Sequence, residues 1–135
     1  HSLIFTSPPR QVKAGETLPP IELELSALDF NGSPVSIPSS RASSVICAIS
    51  LALPGSMESI DRELSTNAPP LEGQLHLTGK HRDGRICFEY NGLRPLFSGR
   101  FVVIAQCFDI TNLVQSGGVQ QRNLAVTQSN PFSVL

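Results

Sequence analysis

The sequence predicts an all-β fold, an antiparallel sandwich of eight to ten short strands with one short helical turn. Apolar and polar residues alternate in several runs, as at residues 86–90, and residues 101–110 are rich in β-branched and aromatic side chains. Eleven prolines and ten glycines are spread along the chain and divide it into short segments. No strand–helix–strand alternation interrupts this pattern, so a parallel sheet is not expected.

The strand positions follow from where the alternation starts and stops. Residues 3–6 form the first predicted strand, and Pro8-Pro9 ends it. The others are predicted at residues 21–28, 35–37, 45–53, 74–78, 86–90, 101–110, 124–127 and 132–135. Residues 86–90 and 101–110 are expected to be consecutive strands of one sheet, and residues 74–78 to form a hairpin with 86–90.

Two of these strands have different burial patterns. In residues 21–28, Ile21, Leu23 and Leu25 share one face, and the polar side chains between them point to water. Residues 45–53 are apolar on both faces, which predicts a central strand buried on both sides.

Two connections carry signals of their own. Met57, Ile60 and Leu64 have helical spacing, which predicts one or two helical turns near residues 56–64. Asn31-Gly32 is a typical hairpin turn. With Ser33 it also fits a glycosylation sequon, but the turn is the favoured interpretation.

Length and charge narrow the class of protein. A chain of 135 residues fits one domain, here residues 1–135, with a core of its own. A net charge of −1 argues against a general nucleic-acid binder. No apolar run approaches the roughly 18 residues of a membrane span, so no membrane contact is expected. The chain begins with His1 and not Met, which predicts a domain cut from a longer protein.

The short strands at regular spacing are typical of an immunoglobulin-like sandwich. Immunoglobulin domains carry a bridge between their two sheets, and that likeness would pair Cys47 with Cys107 across facing sheets. However, the chain has no Trp, and Ala105 stands where those domains have a Tyr before the second Cys. The favoured interpretation is therefore that Cys47, Cys87 and Cys107 are small buried apolar residues in a reducing compartment.

No catalytic constellation is present in the sequence. His76 and His81 are not spaced as metal ligands with any cysteine or carboxylate. No serine lies in a G-x-S-x-G elbow, and Gly117-Gly118 lacks the Lys-Ser/Thr that follows in a phosphate-binding loop. The sequence therefore predicts a non-enzymatic protein without metal, cofactor or small-molecule substrate.

One concentrated basic segment is predicted at a hairpin tip, in residues 80–85. Loops at the end of a sandwich commonly carry binding, and arginine can grip phosphate in a fork. Lys80, Arg82 and Arg85 are therefore candidates for contact with an anion or nucleic acid. A solvated turn rich in basic residues is the alternative.

A second candidate surface follows from the apolar residues on the outer face of residues 101–110. The sequence leaves open whether another part of the same chain or another subunit covers this face. The candidate interface residues are Val102, Ile104, Phe108 and Ile110.

Three segments resemble the velvet domain of fungal developmental regulators. Residues 19–23 are similar to that family's Pro-Pro-Ile entry, Leu93 with Gly99-Arg100-Phe101 to its Leu…Gly-Arg-Phe link, and residues 129–134 to its Ser-x-Pro-Phe-x-Val ending. The resemblance implies a sandwich akin to the Rel-type DNA-binding fold, homo- or heterodimerisation with a protein partner, and a nuclear regulatory role.

A competing resemblance is to the tandem immunoglobulin-like repeats of microbial surface proteins. Phe5-Thr6, Ala14-Gly15, residues 29–35 and residues 127–134 look like characteristic segments of those repeats. We interpret the chain as an intracellular, nuclear, velvet-like interaction and dimerisation domain. The alternative is an extracellular structural or adhesion repeat.

Overall fold

The computed structural model describes residues 1–55, 70–110 and 122–135. These residues are mostly strand, with one 3-10 helix at Ser39–Ser44, which confirms the predicted all-β class. The strands are β1 (Ser2–Ser7), β2 (Ile21–Leu28), β3 (Pro34–Val35), β4 (Val45–Ala52), β5 (Leu71–Glu72), β6 (His76–Thr78), β7 (Lys80–Arg82), β8 (Arg85–Tyr90), β9 (Arg94–Pro95), β10 (Gly99–Asp109), β11 (Arg122–Gln128) and β12 (Phe132–Val134).

The strands form two main antiparallel sheets. The first has the order β1-β2-β8-β7, and β3 pairs with the end of β2. The second has the order β11-β10-β4-β6, and β12 pairs with the start of β10. A short ribbon of β5 and β9 stands beside them. Three short strands, β5, β7 and β9, lie in segments where no strand was predicted, because ladders of two or three residues leave no visible alternation.

The main apolar core of the described residues lies between the two sheets. The predicted face of β2, formed by Ile21, Leu23 and Leu25, is fully buried there, as are Phe88 and Tyr90 of β8. The second sheet contributes Val45, Cys47, Ile49 and Leu51 from β4 and Val103, Ala105 and Cys107 from β10. Burying apolar side chains of both sheets against each other is what holds a β-sandwich together.

The central strand β4 is buried more completely on one face than on the other. Its core-facing residues are buried, whereas Ile46, Ala48 and Ser50 on the outer face are half-buried. Leu53 lies beyond the end of β4 and is exposed, although the alternation placed it on the core face. The predicted central position is correct, since β4 lies between β10 and β6.

Two predicted pairings are wrong. Residues 86–90 do not form a hairpin with residues 74–78: β8 pairs with β7, while β6 pairs with β4 in the other sheet. Residues 86–90 and 101–110 also lie in different sheets, because the chain crosses the sandwich between them through β9. The alternation identifies a strand but not its partner, which is set by contacts between distant segments.

Other predicted features stand as follows. The Asn31-Gly32 turn is present, with Gly32 in the left-handed region. The polar connection before β4 contains the 3-10 helix Ser39–Ser44, in which Ala42 is buried. The helical turn near residues 56–64 lies outside the described residues.

Ser129 joins β11 and β12 to one edge of β10. Its backbone N–H donates to the Val103 carbonyl, and the Val103 N–H donates back to the Ser129 hydroxyl, each at 2.9 Å. The hydroxyl in turn donates to the Asn130 carbonyl at 2.9 Å. The buried serine thus continues the ladder between the β11 and β12 pairings, where no strand residue does so.

Replacing Ser129 by alanine should lower the free energy of unfolding by about 1–3 kcal/mol, because the buried Val103 N–H loses its acceptor. Urea denaturation followed by far-ultraviolet circular dichroism measures the loss. Ser133→Ala in β12 is the matched control, and it should change stability by no more than about 0.5 kcal/mol. Equal losses in the two variants would show that the Ser129 hydroxyl has no special role.

Candidate interaction surfaces

The basic segment forms the β7–β8 hairpin at an edge of the first sheet. Arg85 is held by an ion pair with Glu24 of β2, with 2.8 Å between Nη1 and Oε1. Within the described residues, Lys80 and Arg82 have no ion-pair partner, and both are exposed. Charged side chains on an edge strand also discourage pairing with other chains.

Carboxylates balance this basic edge. A shallow cleft of about 460 Å³ lies on the outer face of the first sheet, and its lining includes Lys80 and Arg82 together with Glu22, Glu24 and Glu89. Binding to a phosphate backbone depends on an excess of positive charge. Nucleic-acid contact through Lys80, Arg82 and Arg85 therefore stays a prediction, and the surrounding charges do not favour it.

His81 points away from the cleft and fixes the position of the hairpin. Its ring Nε2 donates to the Ile37 carbonyl at 2.6 Å, while the Ile37 N–H donates to the Gly84 carbonyl at 2.8 Å. The hairpin tip is therefore tied to the segment that precedes the 3-10 helix. This gives His81 a structural role.

The candidate interface residues lie on or beyond the outer face of the second sheet. Val102 and Ile104 are only 2% and 7% exposed and form a small buried cluster with Ala52. Phe108 and Ile110 are half-buried. The contact with another subunit that the sequence suggested thus stays a prediction for Phe108 and Ile110, whereas Val102 and Ile104 offer little accessible surface.

The same outer face carries a small, mostly apolar cavity of about 250 Å³. Its lining comes from β4, β10 and residues 70–76 and includes Ala48, Ser50, Pro70, Leu75, His76, Ile104 and Gln106. Ligand pockets usually measure about 300–1,000 Å³. This cavity therefore lies just below the usual size of a small-molecule site.

Among the described residues, the most exposed apolar side chain is Phe30, at the tip of the β2–β3 hairpin. Phe30 is fully exposed, and Leu28 and Val35 on the two hairpin strands are also exposed. A large aromatic residue in full contact with water loses the stabilisation that its burial would supply. The sequence signal for this feature is an aromatic residue between Asp29 and Asn31. The residues around it predict the turn but do not predict that the ring is exposed.

Hydrogen bonds hold the turn that presents Phe30. The Asp29 carboxylate accepts from the Asn31 and Ser33 N–H groups, each at 2.9 Å. The Asp29 N–H donates to the Ser33 carbonyl at 2.9 Å, and the Gly32 N–H donates to the Asp29 carbonyl at 3.1 Å. The backbone under Phe30 is thus fixed. A partner that buries this ring would therefore lose little free energy to ordering the loop.

The cysteines differ from the bridge that the immunoglobulin likeness implied. Cys47 and Cys107 do not face each other across the two sheets: they are direct neighbours in β4 and β10 of the second sheet. All three thiols are free. Cys47 and Cys107 are buried, but Cys87 is half-buried on the outer face of the first sheet. Burial raises the pKa of the Cys87 thiol.

Among the residues that the structure describes, no three His, Cys, Asp or Glu side chains come together as a metal site. In the same ranges no helix is both long and apolar enough to cross a membrane. No protein-family model matches the chain, and a search of curated proteins finds no match either. The surfaces described above are therefore the basis for assigning a function.

Proposed function

We propose that this chain is a non-enzymatic, immunoglobulin-like interaction domain that associates with a second copy of itself through the β2–β3 hairpin tip. One observation carries the proposal: Phe30 is fully exposed on a turn that four hydrogen bonds hold in place. Rigidly presented aromatic side chains are typical anchors of protein interfaces. Leu28 and Val35 extend the apolar surface along both hairpin strands.

The cavity beside Ile104 supplies a matching socket. It is mostly apolar, it lies on the outer face of the second sheet, and its volume of about 250 Å³ suits one aromatic side chain. In this proposal Phe30 of each copy inserts into the cavity of the other copy. Reciprocal insertion gives a closed dimer, in which the same two patches are used on both chains.

The strand order supports the immunoglobulin-like assignment. Four short strands, β3, β5, β9 and β12, are additions to the basic pattern. When the other strands are assigned in chain order, the first sheet corresponds to strands A-B-E-D and the second to strands G-F-C-C′ of that fold. Domains of this kind act through their surfaces and loops, with the two sheets as a rigid support. A dimerising domain of a velvet-like, intracellular and nuclear fungal regulator is the form of this function that the sequence resemblance supports.

Sedimentation equilibrium over a wide range of protein concentration tests the proposal. The unmodified chain should pass from monomer to dimer as its concentration rises. Phe30→Ala removes the anchor and should weaken the dimer about 30-fold or more, as truncation of an interface hot spot does. Ser50→Phe, which fills the socket, should weaken it to a similar extent.

Ile4→Ala is the matched control, because Ile4 is another exposed apolar residue, on β1. It should leave the association unchanged. A chain that stays monomeric at every concentration contradicts the proposal. So does a dimer that Phe30→Ala leaves intact.

A different observation favours an extracellular repeat as the second candidate. β1 starts beside Ser26, at one end of β2, whereas Leu135 lies beside Val12 and Ala14, near the Leu18–Leu93 hydrogen bond at the other end. This leaves the start of β1 and the end of β12 at opposite ends of the sandwich, an arrangement suited to domains strung in a row. Such a repeat is expected to stay monomeric, and Phe30→Ala should not change its state of association.

A further inference from the structure

Cys47 and Cys107 lie directly opposite each other on β4 and β10. The Ile110 N–H donates to the Ser44 carbonyl at 2.8 Å, which makes residues 44 and 110 a hydrogen-bonded pair. Hydrogen-bonded and non-hydrogen-bonded pairs alternate along an antiparallel ladder, so Cys47 and Cys107 form a non-hydrogen-bonded pair. The Cα atoms of such a pair are about 4.5 Å apart, a separation that a disulfide can span.

The two thiols are neighbours inside the core. Their interaction lowers the pKa of Cys47 and raises the pKa of Cys107, which makes Cys47 the better candidate for the attacking thiolate. Both residues are 0% exposed, which means that a reagent reaches them only when the sandwich opens locally.

We propose that Cys47 and Cys107 form a reversible disulfide within the second sheet when the chain meets a low-molecular-weight disulfide such as oxidised glutathione. The Cys47 thiolate attacks one glutathione sulfur, the glutathione S–S bond breaks, and one glutathione thiolate leaves. The Cys107 thiolate then attacks the Cys47 sulfur and displaces the second glutathione. The two protein thiols are oxidised, the oxidised glutathione is reduced to two thiols, and the two protons pass to those thiols.

The disulfide would join the two central strands of the second sheet. These residues are 60 positions apart in the sequence, so the bond closes a long loop in the unfolded chain. The native sheet already holds the two cysteines opposite each other, so the fold should favour the oxidised form. The bond would therefore stabilise the folded domain and link its stability to the redox state of its compartment.

The test uses the full chain with Cys87→Ser, which leaves only the proposed pair. The chain is equilibrated with mixtures of reduced and oxidised glutathione, both in buffer and in concentrated urea, and quenched with acid. Mass spectrometry then measures the fractions of dithiol, disulfide and glutathione adduct. Because Cys47 and Cys107 are untouched, the variant does not disturb the core that is being tested.

Formation of the Cys47–Cys107 disulfide should be favoured about tenfold or more in buffer over urea, since the native sheet brings the sulfurs together. The oxidised form should also unfold at a higher temperature than the reduced form. Equal or weaker formation in buffer would overturn the proposal, because it would mean that the native sheet does not accept the bond. A native chain that forms only glutathione adducts would overturn it as well.

Discussion

Replacing Gly79 by alanine will lower the free energy of unfolding by about 3 kcal/mol, the upper part of the range for an overpacked core. A Cβ at this position would clash with Cγ2 of Ile86 and would lie 3.0 Å from Cε1 of Phe88. Both of those side chains are fully buried. Gly79 lies where the chain leaves β6 in the second sheet and enters β7 in the first, so the backbone cannot shift without disturbing both sheets.

Gly32→Ala separates crowding from backbone strain. Gly32 has φ +80°, and no atom lies within 4 Å of the point that an alanine Cβ would occupy, so alanine there has room and only adopts an unfavourable left-handed conformation. Its cost should be about 1–2 kcal/mol. Gly79 is not among the described residues with positive φ, so its cost is steric. Urea denaturation measures the free energy of unfolding of the two variants. If Gly79→Ala loses no more stability than Gly32→Ala, the result contradicts a steric clash at Gly79.

Local pattern was sufficient to identify strands and their buried faces. The face of Ile21, Leu23 and Leu25 is buried as the alternation predicts, because successive side chains of a strand must point to opposite sides. The longest strand, β10, also lies where the β-branched run predicts it. In both cases the information lies within fewer than a dozen consecutive residues.

Strand partners could not be predicted in the same way. The turn at Asp83-Gly84 is compatible with a hairpin to residues 74–78 or to residues 80–82, and the sequence alone favoured the first. The structure selects the second because Gly79 allows the chain to pass close to Ile86 and change sheets. That close approach involves side chains which meet only after both sheets have formed.

The candidate surfaces show the same difference between features that local sequence predicts and features that depend on tertiary contacts. The exposure of Lys80 and Arg82 was predicted, but the pairing of Arg85 with Glu24, 61 residues earlier in the chain, is a tertiary contact. The pairing of Cys47 with Cys107 likewise depends on the register of β4 against β10. Phe30 is different, since an aromatic residue at the tip of a turn is visible in the sequence itself.

Tyr90 links the two sheets through the core, and its replacement by alanine should cost about 4 kcal/mol. The ring of this β8 residue is buried, and its hydroxyl donates to the Cys47 carbonyl of β4 at 2.6 Å. Alanine at this position would both leave a cavity in the core and remove the hydrogen bond between the two sheets. Tyr90→Phe keeps the ring and removes only the hydroxyl, so it should cost about 1 kcal/mol.

The pH dependence of stability isolates the hydroxyl. Burial raises the pKa of the Tyr90 phenol well above the value of about 10 that it has in the unfolded chain. Above that pH the unfolded chain releases this proton while the folded chain keeps it. Stability should therefore fall as pH rises past about 10, by up to about 1.4 kcal/mol per pH unit from this group.

Comparing the unmodified chain with Tyr90→Phe by urea denaturation at several pH values measures this contribution. The pKa of Cys47 is lowered mainly by Cys107 and also by the Tyr90 hydroxyl, so the comparison measures the hydroxyl together with its effect on that thiol. The advantage of the unmodified chain over Tyr90→Phe should be constant near neutral pH and shrink above about pH 10. A constant difference across the whole range would mean that the phenol ionises in the folded chain as easily as in the unfolded one. In that case the Tyr90 hydroxyl would not be a buried link between the sheets.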